Sequence, residues 1–114
     1  MEKKIAVLSD AVGSPTTLTQ AESVTVYARR EKEWQEISNF SCMDFATDTL
    51  QDIRILCEAI AEELREVKVI LGSDISGAPY SALNRVGFVI CESEVISDEF
   101  LDDLFEELEA DEGV

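Results

Sequence analysis

The sequence predicts a single α/β domain in which a mixed five-stranded sheet is flanked by helices. Three observations carry that reading. Short apolar runs at residues 5–8, 67–72 and 88–91 have the length and composition of buried strands. Stripes with helical period lie between and after those runs. An alternating pair of segments near the start has the pattern of an antiparallel hairpin.

The elements follow in order. Ile5-Ala6-Val7-Leu8 reads as a buried strand, ending at Ser9-Asp10 with Gly13 and Pro15 as breakers soon after. Val24 to Ala28 alternates and is rich in β-branched residues; Trp34 to Ile37 alternates again. The turn between them falls near Arg30 to Lys32 and lacks an Asn-Gly or Asp-Gly signature, so its register is open. The period then changes. Leu50, Ile53, Cys57, Ile60 and Leu64 fall on one helical stripe, with Thr47, Asp48 or Thr49 available as its N-cap. Val67 to Gly72 is a central strand. A short helix starts at Ser76-Gly77-Ala78-Pro79, with Pro79 in its first turn and Gly87 at its stop. Phe88 to Cys91 is the fifth strand. Ser97 caps a last helix whose stripe is Phe100, Leu101, Leu104, Phe105 and Leu108.

The order β-β-β-α-β-α-β-α makes strands one, four and five a parallel set joined through helices, with the hairpin extending it antiparallel. That is a ribonuclease H-like arrangement. The expected boundaries are one domain over residues 1–109 and a frayed acidic tail over residues 110–114.

Composition excludes several functions. The 114 residues include nine Lys plus Arg and 25 Asp plus Glu, a formal charge of −16, yet 46% are hydrophobic, enough for a core. Phosphate backbones and anionic membrane surfaces both demand cations, so nucleic acid and membrane are expected not to be partners. The chain has no His, which removes the usual neutral-pH base and every Ser-His or Cys-His dyad. The opening residues lack the apolar length of a signal peptide, and no run is long enough to span a bilayer, so the expected location is the cytoplasm. Cys42, Cys57 and Cys91 form no CxxC pair and are expected to be reduced, mostly buried thiols.

In open α/β sheets, ligands gather beyond the carboxyl ends of the parallel strands. Those ends carry Ser9 and Asp10, then the Gly72 to Tyr80 segment, then Glu92 and Glu94. In the middle segment, Ser73, Asp74, Ser76, Gly77, Ala78 and Tyr80 are the candidates for binding a ligand or partner, because a helix start presents free N–H groups. It is not a P-loop, since Gly77 is followed by Ala-Pro rather than Lys and Ser or Thr. On pattern alone, Ser76 acting as a simple cap and Gly77 as a simple turn is the plainer reading. Asp10, Asp74 and Glu92 could together hold Mg²⁺ for phosphoryl transfer, but Asp at such positions more often satisfies loop amides.

From Val86 onward there is no Lys or Arg against eleven Asp or Glu. A solvated helix face is the bland explanation. A docking surface for a basic patch, formed by Asp102, Asp103, Glu106 and Glu107, is the sharper one, because acids at a helix C-terminus oppose its dipole.

The opening Lys4 to Asp10, the hairpin ending near Trp34, Val69-Ile70-Leu71-Gly72, Ser76-Gly77-Ala78-Pro79-Tyr80 and Gly87-Phe88 together resemble the AnfO family of Fe-only nitrogenase accessory proteins. Leu83-Asn84-Arg85-Val86-Gly87 is also similar to the helix ending of NifX-type nitrogenase cofactor-binding domains. The resemblance implies a non-enzymatic, cytoplasmic accessory protein whose partner is a nitrogenase component or assembly protein. It also raises transient binding of an iron–sulfur cluster or the iron-only nitrogenase cofactor, for which the candidate donors are the thiol of Cys42 or Cys91, or backbone and Ser groups at Ser73 to Ala78. Such a cofactor is anionic, and a −16 chain repels it unless the pocket is locally positive. Docking through protein contacts fits the charge better.

Overall fold

The computed structural model describes the backbone of residues 3–112 and the side chains through Glu109. Five strands, β1 (Lys4–Ser9), β2 (Ser23–Arg30), β3 (Glu33–Ser41), β4 (Val69–Gly72) and β5 (Val89–Glu92), form one sheet in the order β3-β2-β1-β4-β5. The β2 strand pairs antiparallel with both β1 and β3, whereas β1, β4 and β5 run parallel. Helices α1 (Leu50–Glu63) and α2 (Gly77–Arg85) provide the connections into β4 and β5, and α3 (Asp98–Glu112) follows. The predicted architecture is the observed one.

Period-two alternation divides the core into two layers. Ala6, Leu8, Val24, Val26 and Ile70 pack under α1 and α2. Ile5, Val7, Val69 and Leu71 point the other way and meet Leu101 of α3. Because β1 and β4 are covered on both faces, their sequences are continuous apolar runs rather than alternating ones.

Local chemistry explains most boundaries. Thr49 caps α1 through a reciprocal pair: its hydroxyl accepts from the Asp52 amide at 3.1 Å, and the Asp52 carboxylate accepts from the Thr49 amide at 3.2 Å. At the end of α2, Gly87 takes φ +103°. Its amide donates to the Asn84 carbonyl, and the Phe88 amide donates to that of Leu83. This double closure is a Schellman motif, with Leu83 and Phe88 both buried beneath it. The Leu-x-x-x-Gly ending thus has a physical cause. One end anchors the core, and the other adopts a left-handed conformation that glycine enters freely.

Several boundaries differ from those expected. Leu50, assigned to the apolar stripe, is 59% exposed because it sits at the first position of α1, beyond the reach of the sheet; Leu56 is the fully buried residue of that face. The hairpin is longer than its alternating segments, and a register shift beside Val26 and Tyr27 leaves Ile37 as the extra residue of β3. The acidic segment expected to fray from residue 110 continues α3 as far as Glu112, while residues 113 and 114 lie outside the described residues. The segment's Ala, Asp and Glu add nothing that stops a helix.

Candidate functional site

The carboxyl ends of β1, β4 and β5 are laced together by backbone bonds. The Thr16 amide donates to the Leu8 carbonyl at 2.8 Å, the Ser73 amide to the Thr16 carbonyl at 3.1 Å, and the Ser93 amide to the Gly72 carbonyl at 2.9 Å. Gly72 makes the crossing between Thr16 and Ser73 possible. A Cβ there would stand 2.6 Å from the Thr16 carbonyl oxygen and 2.9 Å from Ile75 Cδ1. The glycine is required for close approach, although its φ is not among the positive ones.

This lacing occupies some of the predicted site residues. The Ser73 hydroxyl donates to the Pro15 carbonyl at 3.3 Å. Ala78 is half-buried against the α1–α2 core. Asp74 (φ 52°), Ser76, Gly77 (φ 63°) and Tyr80 remain exposed. Ser76 sits at the N-cap of α2, but its side chain makes no capping bond, so the first-turn N–H groups are not closed by it.

The three carboxylates considered for Mg²⁺ have local partners or none. Asp10 Oδ1 accepts from the amides of Val12 (3.0 Å) and Ser14 (2.9 Å), an Asx turn. Glu92 Oε1 accepts from the Ile75 amide at 3.0 Å. Asp74 is exposed. Among the described residues no three His, Cys, Asp or Glu side chains gather closely enough to hold a metal ion.

The thiols are separated by the sheet. Cys42 belongs to the α1–α2 side and Cys91 packs on the α3 side, so the two cannot share a cluster. Burial pushes the Cys42 thiol up to about 11. It pushes Cys57 up to about 12, with further contributions from Cys42 and Glu58, and it raises Cys91 as well. A thiol must lose its proton to ligate iron, and burial opposes that loss here. The residues present do not fit an iron–sulfur site built on Cys42 and Cys91.

The acidic helix carries two kinds of carboxylate. Asp98 accepts from the Trp34 amide at 3.2 Å. Asp102 accepts from Trp34 Nε1 at 2.9 Å and takes two bonds from the Arg29 guanidinium, 2.5 Å from Nε and 3.3 Å from Nη2. The bond from Arg29, then that from Trp34, holds the Asp102 carboxyl below its ordinary range. Asp102, expected as part of a docking surface, forms the clasp joining α3 to the hairpin. Trp34 also meets the Phe105 ring at a centroid distance of 5.2 Å. The i, i+4 spacing of Asp98 and Asp102 was the one sequence sign that both face the same neighbour. Asp103, Glu106 and Glu107 are exposed and make no ion pair among the described residues. Glu109 pairs with Lys3 at 2.9 Å.

A groove between α1 and α2 was not foreseen. It measures about 110 Å³ and is bounded by Leu50, Ile53, Arg54, Ala82, Arg85 and Val86. The scarcity of cations in the chain, with two of them on adjacent helices, was the available clue.

Among solved structures, the chain is similar to a crystal structure of a candidate dinitrogenase from Methanocaldococcus jannaschii. The TM-score is 0.57 and the identity 17%, over 94% of this chain and 90% of that one. It is also similar to the crystal structure of the protein PH0822, with a TM-score of 0.52 and 7% identity over 78% of this chain and 77% of that one. At these identities the likeness is one of fold. No curated protein sequence matches the chain significantly. The family model of the iron only nitrogenase protein AnfO matches residues 4–113, nearly the whole chain, and the protein belongs to the AnfO family.

Proposed function

We propose that the protein serves iron-only nitrogenase as a non-catalytic accessory factor, docking on a nitrogenase component or an assembly protein through the outer face of α3. Family membership gives the nitrogenase setting. The observation that carries the docking surface is the division of α3 into two acidic faces. Asp98 and Asp102 turn inward to the hairpin, while Asp103, Glu106 and Glu107 stand exposed without cationic partners among the described residues. Asp98 and Glu99 suit the start of the helix, but the later acids oppose its dipole, and a basic partner relieves that opposition. The resulting field also accelerates encounter with a cationic surface.

The role within that system is assembly, maturation or protection of the enzyme through protein contact. The Asp74 to Tyr80 surface offers a second point of attachment, since Asp74, Ser76 and Tyr80 are exposed beside the uncapped start of α2.

Affinity capture at low salt from cells expressing the iron-only system is the direct test. The wild-type chain should retain a nitrogenase-related protein, and Asp103→Asn/Glu106→Gln/Glu107→Gln should retain several-fold less. A Tyr80→Ala chain distinguishes the loop from the helix. Recovery of no nitrogenase-related protein by the wild-type chain would overturn the proposal.

A further inference from the structure

The α1–α2 groove combines an apolar floor with two arginines at its edge. Arg54 and Arg85 flank it, both exposed and neither in an ion pair among the described residues. Its floor is apolar, formed by Ile53, Ala82 and Val86, and Leu50 adds exposed hydrocarbon at one end. The groove exists because α2 presents the small residues Ala78, Ser81 and Ala82 where larger side chains would fill the gap. Among the described residues Glu58 is the one carboxylate on its wall, so two cations face one anion there in a chain of net charge −16. The α1–α2 layer and α3 cover opposite faces of the sheet, so this groove is separate from the acidic docking face.

Size and charge narrow the occupant. A volume of about 110 Å³ lies well below the roughly 300 Å³ at which small-molecule pockets begin, and suits one side chain inserted from a larger body. Unpaired guanidiniums prefer carboxylates, which they bind through two parallel bonds. A second copy of this chain is a poor candidate. Its acidic amphipathic helix already buries its apolar side against Trp34 and Leu71, and two bodies of charge −16 repel.

We propose that the α1–α2 groove receives an acidic amphipathic segment of a partner protein. One aliphatic side chain of the segment rests on the Ile53–Ala82–Val86 floor, and its carboxylates engage Arg54 and Arg85. The protein then has two recognition faces of opposite preference, one seeking cations through α3 and one accepting anions between α1 and α2. The groove does not depend on which protein, if any, engages α3.

The test uses the full isotopically labelled chain and a capped helical peptide carrying one Leu, with Glu four residues before and after it. Titration should shift the backbone amide signals of Leu50, Arg54, Ser81 and Arg85 in a saturable way. Arg54→Gln/Arg85→Gln, which removes no side-chain ion pair or hydrogen bond among the described residues, should melt close to the wild type and bind about fivefold or more weakly. A peptide with Lys in place of Glu should leave the groove signals unmoved, and one with Ala in place of Leu should bind more weakly. The proposal is overturned if the groove signals do not respond to the Glu peptide, or if the double variant binds it equally well. It is also overturned if citrate alone competes as effectively as the peptide, which would make the groove a small-anion site. A change in oligomeric state on removing the two arginines would assign the groove to a second copy and overturn it too. None of these readouts involves α3, so the result is independent of the capture experiment.

Discussion

Asp102 shows how one carboxylate can look like a surface charge in sequence and act as a joint in the fold. It receives Arg29 from β2 and Trp34 from β3, and so ties the last helix to the hairpin at the opposite end of the chain order. The sign of its pH dependence follows from its depressed pKa. The native state holds the proton less tightly than the unfolded chain, so the clasp contributes stability above the ordinary Asp value near 3.9. That contribution is lost as pH falls through the lower native value. Asp102→Asn keeps an acceptor for Trp34 but removes the ion pair. Its melting temperature should lie below the wild type at neutral pH, and the two should converge as pH drops through and below about 4. Parallel curves over that range would show that the ion pair is not what couples α3 to the hairpin. Gly72 offers a second test at this scale. A methyl group placed 2.6 Å from the Thr16 carbonyl must push apart the loops that close β1 and β4. Gly72→Ala should therefore cost about 2 kcal/mol, read as a fall of roughly 8 °C in melting temperature. An unchanged melt would mean that the loop yields freely.

At the scale of elements, the legible parts are those whose cause is local. The α2 stop at Gly87 and the α1 cap at Thr49 were readable because the responsible residues lie within a few positions of the boundary. The Phe100 to Leu108 stripe was readable because periodicity reports a buried face whatever covers it. What covered it was not: Trp34 and Asp102 are 68 residues apart, and nothing in either segment names the other. The same holds for the thiols. The faces on which Cys42 and Cys91 lie follow from strand register and from the loop after β3, which spacing alone does not fix. The hairpin turn was placed correctly near Arg30 to Lys32, but its strain was invisible. Glu31 occupies the turn with φ 60°, a conformation that costs a non-glycine residue of order 1 kcal/mol. Glu31→Gly should raise the melting temperature by about 2–4 °C, the gain being trimmed by glycine's greater freedom in the unfolded chain. A decrease would show that contacts of the Glu31 side chain outweigh the backbone strain.

For the whole molecule, charge is the property that links stability to recognition, and it acts on them with opposite signs. Twenty-five acids against nine bases make the folded chain repel itself. Among the described residues, acids are neutralised by local pairs such as Lys3–Glu109, Lys4–Glu66 and Arg29–Asp102. Lys3–Glu109 and Lys4–Glu66 have exposed carboxylates and are individually weak, and the half-buried, two-bonded Arg29–Asp102 pair is the least open to screening, so added salt loses little from the pairs. Screening the net repulsion gains more, because the compact state concentrates the charge that the unfolded chain spreads out. Raising NaCl from about 20 to about 300 mM shortens the screening length from roughly 20 Å to below 8 Å and should raise the melting temperature. Capture of a basic partner by Asp103, Glu106 and Glu107 should weaken over the same range, chiefly through a slower association rate. The two trends should cross in direction when measured on one preparation, with thermal melts for the first and surface-immobilised kinetics for the second. If salt lowers the melting temperature, attractive pairs dominate the surface, and the excess acid on α3 is better read as part of the fold than as a face held open for a partner.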